Sequence, residues 1–263
     1  MTFRYFGYGS NMNLTALRAK GVEPLESAPA ELRGWRLRFN VRHWFRHEGG
    51  MANIEPSDTP GERVLGVVHR CRDEHLPRLD ALEACGVGYD RGPVTVETRE
   101  GSVEALTYRG LPAVLDDRCL PTRRYMNILL RGAREALLDP AYLDRLEAHP
   151  LHPPWNRQPF TFPDGEYPEF DAATLARHPD YTAVAGAVFD MAGARPELDV
   201  PKRLFGGMDT TLFHLKRLDT SDGTETLDDV REGRVSEAGR IYLNEYLHEF
   251  AREFRYVGRY RYD

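Results

Sequence analysis

Near the N-terminus, Tyr8-Gly9-Ser10-Asn11-Met12 has the residue types for holding an anion or an amide oxygen. A turn that leaves a buried strand can aim several backbone N–H groups into one concavity, and Asn11 is suited to capping a helix that follows. The same residues also make a plain strand-to-helix turn with no ligand. A second candidate is Glu83, within Leu79-Asp80-Ala81-Leu82-Glu83-Ala84-Cys85-Gly86-Val87-Gly88-Tyr89. Leu76, Leu79, Leu82 and Glu83 follow one another at helical spacing, which predicts Glu83 on or near the apolar face, just before a glycine-rich exit. A carboxylate in apolar surroundings has its pKa raised and can take and return a proton near neutrality; on the surface the same residue is a solvated helix end. The third is Tyr125, in Pro121-Thr122-Arg123-Arg124-Tyr125, either a core tyrosine or a hydroxyl facing a pocket.

The elements that must position these groups follow from periodicity. Thr2 to Tyr8 reads as a strand, as do Glu31 to Val41 and Arg63 to Arg70. Asp73 predicts the N-cap of the short helix that carries Glu83. Pro93 to Thr98 and Val103 to Arg109 read as a strand pair joined at Glu100-Gly101-Ser102. From Pro121 to Leu137 the residues Tyr125, Ile128, Leu129, Ala133, Ala136 and Leu137 form one stripe, so this segment reads as a helix capped by Thr122. Asp139-Pro140 opens another. Farther on come a strand at Thr182 to Phe189, a helix from Ser236 striped by Leu243, Leu247, Phe250 and Phe254, and an alternating strand from Arg255 to Tyr262.

The chain has 263 residues with 41% hydrophobic and 29% charged residues, enough apolar content to build a core. A net charge of −6 disfavours a nucleic-acid partner. There is no apolar run of membrane-spanning length and no basic-then-apolar leader at the N-terminus. The sparse cysteines Cys71, Cys85 and Cys119 form no close pair, which predicts a reducing compartment and a cytoplasmic location.

Taken together, these stretches resemble the γ-glutamylcyclotransferase-like superfamily. Tyr5-Phe6-Gly7-Tyr8-Gly9-Ser10-Asn11-Met12 is similar to its opening signature. Gly50 to Ser57 followed by Gly61 to Val68 resembles its next strand pair, Leu79 to Tyr89 the segment with its catalytic glutamate, and Pro121 to Ala133 its late helix. The resemblance implies an α+β fold: a small twisted β-barrel with flanking helices over residues 1–148. Residues 149–263 then form a proline- and aromatic-rich connector and a C-terminal α+β extension, packed on the first domain. It further implies a small-molecule γ-glutamyl substrate, with Tyr8, Gly9, Ser10, Asn11 and Tyr125 binding it and Glu83 carrying the proton that lets the substrate's own α-amine close into 5-oxoproline. No metal and no organic cofactor is implied. The Gly-Ser-Asn turn leans toward the general γ-glutamyl branch of the family. Many members have Glu-Gly at the catalytic position, whereas Ala84-Cys85 here separates Glu83 from Gly86.

His43 and His47 have the spacing of a helical metal pair, but they lie in a strand-and-loop stretch with no third ligand nearby. Two other functional readings remain open on sequence: removal of γ-glutamyl protection from a specialised metabolite, and a non-catalytic module that binds γ-glutamyl ligands. The aromatics Trp155, Phe160, Phe162 and Tyr167 predict that the connector lies across the first domain and narrows the choice of leaving amine.

Overall fold

The first strand, β1 (Thr2–Gly7), is followed directly by the Ser10–Met12 3-10 turn and by α1 (Leu14–Ala19). In the computed structural model, which describes residues 1–262, the chain divides into two units. Met1–His43 with Glu48–Pro154 form one, and Trp44–His47 with Trp155–Asp263 the other.

The first unit contains a closed barrel in the order β1-β5-β2-β6-β7, built from β2 (Glu26–Arg33), β5 (Arg63–Arg72), β6 (Tyr89–Thr98) and β7 (Gly101–Gly110) as well as β1. The predicted small barrel with flanking helices is thus present. β5 pairs with β1 on one edge and β2 on the other and reads as an almost unbroken apolar run, with Val64 to His69 all buried. Its antiparallel registers place Tyr5, His69 and Ser27 side by side in one row across three strands. β3 (Trp35–Arg42) and β4 (Gly50–Pro56) form a separate hairpin. Phe6, Leu32, Val64 and Val96 fill the core together with Met126 and Leu129.

Several expectations need correction. The single strand read from Glu31 to Val41 is two strands, broken at Gly34, whose φ of +73° turns the chain out of the barrel and into the hairpin. Asp73 does not cap a helix: it begins a 3-10 turn, Asp73–His75, and α2 (Leu76–Leu82) starts after it with Pro77 in the first turn. The cap of α1 is Asn13 rather than Asn11, its Oδ1 accepting from the Ala16 N–H at 2.9 Å. Asn11 is buried and turned to another task.

α3 (Arg123–Glu135) starts as the sequence indicates, with Thr122 Oγ1 accepting from the Tyr125 N–H at 3.2 Å. Tyr125, Ile128, Leu129 and Ala133 are buried. Leu137 is not: it is 81% exposed and takes a left-handed φ of +54°. The helix closes there in a Schellman motif, with Leu138 N–H on Ala133 O and Leu137 N–H on Arg134 O. Leu138, one residue later, takes the core place. α4 (Pro140–Glu147) follows, capped by Asp139.

The second unit is a sheet in the order β11-β9-β10-β12-β8 with a long helix. Its elements are β8 (Glu169–Phe170), α5 (Ala172–Leu175), β9 (Tyr181–Val184), β10 (Ala187–Asp190), α6 (Asp199–Phe205), β11 (Met208–Asp209), α7 (Thr211–Leu215), α8 (Leu227–Arg231), α9 (Glu237–Glu253) and β12 (Arg255–Tyr260). The strand read from Thr182 to Phe189 is a hairpin, because Ala185 and Gly186 both adopt positive φ. Helix α9 starts where expected, with Ser236 as its cap, and Phe250 from its stripe meets Phe189 and Phe45. The aromatics of the proline-rich segment also pack in this unit: Phe160 and Phe162 border its core, and Tyr167 meets Tyr256. His47 lies against Tyr246 with ring centroids 4.3 Å apart. Among the described residues no helix is long and apolar enough to cross a membrane.

Gly132 fixes how α3 approaches the N-terminal turn. A Cβ at this position would come within 2.4 Å of Asn13 N and 2.5 Å of Met12 C, both backbone atoms that cannot swing aside. Alanine normally stabilises a helix interior by about 1 kcal/mol over glycine. Here the sign reverses: overpacking costs roughly 1–3 kcal/mol. Gly132→Ala should therefore lower the melting temperature in a thermal unfolding experiment, and an unchanged or raised value would show that α3 does not rest on this turn.

Candidate active site

Asn11 leaves the barrel at the mouth-side end of β1, and its buried amide is fully committed. Nδ2 donates to Glu83 Oε1 at 2.9 Å and to the Tyr5 hydroxyl at 2.6 Å, while Oδ1 accepts from Lys20 Nζ at 2.6 Å. Its backbone carbonyl accepts from His69 Nε2 at 2.9 Å. A carbonyl cannot donate, so Nε2 carries the ring proton and Nδ1 accepts from Ser27 Oγ at 2.8 Å. This defines a neutral histidine. Burial lowers the His69 pKa to about 4, with the bond to Asn11 opposing the shift.

Glu83 is the first residue beyond α2, and its surroundings are polar where the sequence suggested an apolar helix face. Lys20 Nζ lies 3.1 Å from Oε1, with the two side chains 8% and 14% exposed. Both hydrogen bonds to the carboxylate end on Oε1, and among the described residues Oε2 has none. The last turn of α2 is pinned to the barrel through Asp80, which accepts from the Tyr108 hydroxyl at 2.6 Å and pairs with Arg91 at 2.5 Å.

A small cavity opens beside these groups, lined by Tyr5, Tyr8, Gly9, Ser10, Asn11, Ala52, Glu83, Tyr89, Tyr108 and Tyr125. All the residues proposed from sequence converge here. A larger open groove runs past Glu26, Arg70 and Arg99, but holds no comparable constellation. Tyr8 donates to Tyr108 O at 2.5 Å, and Tyr89 to Ala52 O at 2.9 Å. Tyr125, left ambiguous by sequence, is both core and wall: its hydroxyl accepts the Ala52 N–H at 3.1 Å while lining the cavity. Burial raises its pKa to about 12, opposed by the Ala52 hydrogen bond. Burial likewise lifts Tyr5, Tyr8 and Tyr89 well above the ordinary tyrosine value, with the charge of Glu83 adding to the effect. The wall therefore keeps its hydroxyl protons at neutral pH. Among the described residues no group of three or more His, Cys, Asp or Glu is placed to hold a metal ion.

Residues 5–126 match the family described as gamma-glutamyl cyclotransferase, AIG2-like. The γ-glutamylcyclotransferase of Mus musculus is 30% identical over 151 residues, which cover 56% of this chain and 78% of that protein. The chain belongs to the γ-glutamylcyclotransferase family. It is also similar to the gamma-glutamyl cyclotransferase gliK of Claviceps purpurea, 26% identical over 155 residues, covering 52% of this chain and 65% of that one. A solved gamma-glutamyl cyclotransferase structure aligns with a TM-score of 0.53 at 27% identity, covering 60% of this chain and 93% of the other. The protein is thus a γ-glutamylcyclotransferase-type enzyme.

Against the Glu-Gly common in the family, Glu83 is followed by Ala84, which takes the left-handed φ of +49° itself. Ala84 N–H bonds Ala81 O and Cys85 N–H bonds Asp80 O, the two bonds of a Schellman motif with alanine in the glycine place. The departure leaves the cap, and with it the seat of Glu83, in place. Lys20, Tyr5, Tyr89 and Tyr108 were not singled out from sequence. Lys20 had one signal: it lies four residues after Ala16 and three after Leu17, on the buried face of α1.

Since a left-handed alanine costs about 1–2 kcal/mol, Ala84→Gly should raise the melting temperature with little effect on turnover; a destabilised variant would show that Ala84 does not carry this strain. His69 gives a pH signature. The unfolded chain takes up a proton near pH 6.5 that the folded protein refuses down to about pH 4. Stability from this group is complete above pH 6.5 and falls as the pH drops toward 4, by about 3 kcal/mol in all. Denaturant unfolding between pH 7 and 5 should show a steeper loss in wild type than in His69→Gln, and equal slopes would remove His69 as the cause.

Proposed function

We propose that the enzyme cyclises a γ-glutamyl amide to 5-oxoproline and a free amine, with Glu83 as the proton carrier. The observation that supports this reading most is the asymmetry of the Glu83 carboxylate. Oε1 is held by Asn11 and Lys20, and Oε2 is left without a hydrogen bond among the described residues, in a carboxylate that lines the tyrosine-walled cavity.

In this reading the γ-glutamyl group lies curled in the cavity, held by the Tyr8 to Asn11 turn and by Tyr125, with its α-ammonium toward Glu83. Oε2 takes one proton from that ammonium. The freed nitrogen attacks the substrate's own γ-carbonyl carbon, forming the lactam C–N bond while the negative charge moves to the carbonyl oxygen. As the carbonyl re-forms, the amide C–N bond breaks while Glu83 returns that proton to the departing nitrogen, and the ring nitrogen gives up its second proton, which the released amine takes to become an ammonium. Protons and charge balance without a second reactant.

Two features of the site suit such a reaction. Intramolecular attack draws its rate from confinement, and holding the reacting atoms in attack geometry can contribute about 7–11 kcal/mol. A small, aromatic-walled cavity provides that confinement. The developing oxyanion also needs donors, and two hydroxyls of the wall qualify: Tyr125, which accepts from the Ala52 N–H and has no acceptor among the described residues, and Tyr5. Tyr5 accepts from Asn11 Nδ2 and has no acceptor among the described residues, so its proton is available to an oxygen in the cavity. One well-placed donor of this kind is worth roughly 3 kcal/mol to the transition state.

Glu83→Gln keeps the shape and removes the titrating proton. With γ-glutamyl-alanine as substrate, turnover should fall at least ~100-fold while circular dichroism remains that of the folded protein. The wild-type product should be 5-oxoproline, and an N-acylated substrate, whose nitrogen can no longer attack, should not be cleaved. Retained activity in Glu83→Gln, or free glutamate as the main product, would overturn this reading.

A further inference from the structure

Lys20 is the cap residue at the C-terminal end of α1, and its side chain is only 8% exposed. Its ammonium reaches two atoms of the site, Glu83 Oε1 at 3.1 Å and Asn11 Oδ1 at 2.6 Å. Burying such a group costs several kcal/mol in lost hydration, and replacing a buried ion pair by apolar side chains is often neutral or stabilising. Leu17 and Val22, close to Lys20 along the chain, form an apolar cluster with Leu79, Tyr5 and Cys71. Stability therefore does not account for a lysine here. Its position does: the ammonium meets the carboxylate on Oε1, the same oxygen that Asn11 holds.

A carboxylate beyond the end of a short helix has free torsions along its side chain, and each must be fixed for one particular oxygen to face a ligand. One hydrogen bond from Asn11 leaves the group able to pivot about that contact. A second from Lys20, arriving from another element, removes the pivot. Lys20 in turn is held by Asn11 Oδ1, so the ammonium, the amide and the carboxylate form a closed triangle in which each member fixes the other two.

We infer that Lys20 is a positioning residue of the cyclisation reaction: it clamps Glu83 by Oε1 so that Oε2 alone moves the proton between the α-ammonium and the leaving amine. This inference rests on the proposed role of Glu83 and adds the group that orients it. Lys20 does not meet the substrate. Its loss should appear in kcat and not in KM, because the substrate's own contacts stay in place.

Steady-state kinetics of Lys20→Met, Lys20→Gln and Lys20→Arg with γ-glutamyl-alanine test this. Lys20→Met should lower kcat roughly 10- to 100-fold, the range expected when a reacting group is misplaced by about an ångström, with KM within about threefold of wild type. Lys20→Arg, which keeps a charged donor, should recover most of the loss, and Lys20→Gln, which keeps only a neutral donor, should recover less. The inference is overturned if Lys20→Met turns over like wild type, if its deficit lies in KM, or if Lys20→Arg is no better than Lys20→Met. Should Lys20→Met fail to fold, the comparison of Lys20→Arg with Lys20→Gln decides by the same criteria. Activity surviving in Glu83→Gln would instead remove the proton carrier itself, whatever the lysine variants do.

Discussion

The amide of Asn11 is the interaction on which the site depends. It sits where β1 breaks, and it joins the turn, α1, the end of α2 and the strand β5 through one side chain and one carbonyl. Its orientation is not open to choice. Lys20 can only donate, so the amide oxygen must face it, and the amide nitrogen is then left for the carboxylate of Glu83 and the hydroxyl of Tyr5. A flipped amide would set donor against donor at Lys20 and acceptor against acceptor at Glu83. In a buried setting each such mismatch costs about 1–3 kcal/mol. The sign of every contact around the carboxylate follows from that one constraint.

The barrel makes the constraint rigid. Its register puts Tyr5, His69 and Ser27 in one row, and the neutral imidazole passes that row's order on to the Asn11 carbonyl. Asp80 ties the other end of the site, the last turn of α2, to β6 and β7. Ala52 is held from both sides, its N–H on Tyr125 and its carbonyl under Tyr89. Most of the tyrosine hydroxyls in the wall are thus spent on the protein itself. They shape the cavity, which suits chemistry in which the substrate supplies both nucleophile and electrophile and the protein needs only to move protons.

Much of this was legible in the sequence. Four of the five barrel strands, the Thr122 cap of α3, the starts of α4 at Asp139 and of α9 at Ser236, and the convergence of Tyr8 to Asn11 with Glu83 and Tyr125 follow from local patterns and from the family resemblance. Those patterns record short-range choices: which residue can cap, which face is apolar, where glycine permits a turn. They mislead where a local signal has two outcomes. Asn11 and Asn13 are equally good caps by type, and only the buried lysine and carboxylate waiting for Asn11 decide that Asn13 takes the role. Leu137 extends the apolar stripe of α3 on paper, yet the helix closes there and Leu138 enters the core.

What the sequence determined is therefore which residues gather at the candidate site and the elements that carry them. What the tertiary structure decided is the state in which they meet. Glu83 reads as a carboxylate on an apolar face, and the fold surrounds it instead with an ammonium from α1 and an amide from the turn, Lys20 being 63 residues away along the chain. Tyr5 reads as one more aromatic of a buried strand, and the fold gives its hydroxyl a donor in Asn11 and no acceptor among the described residues. Hydrophobic periodicity has no term for such pairings, because it records which side of an element is buried and not which polar group arrives from another element to meet it.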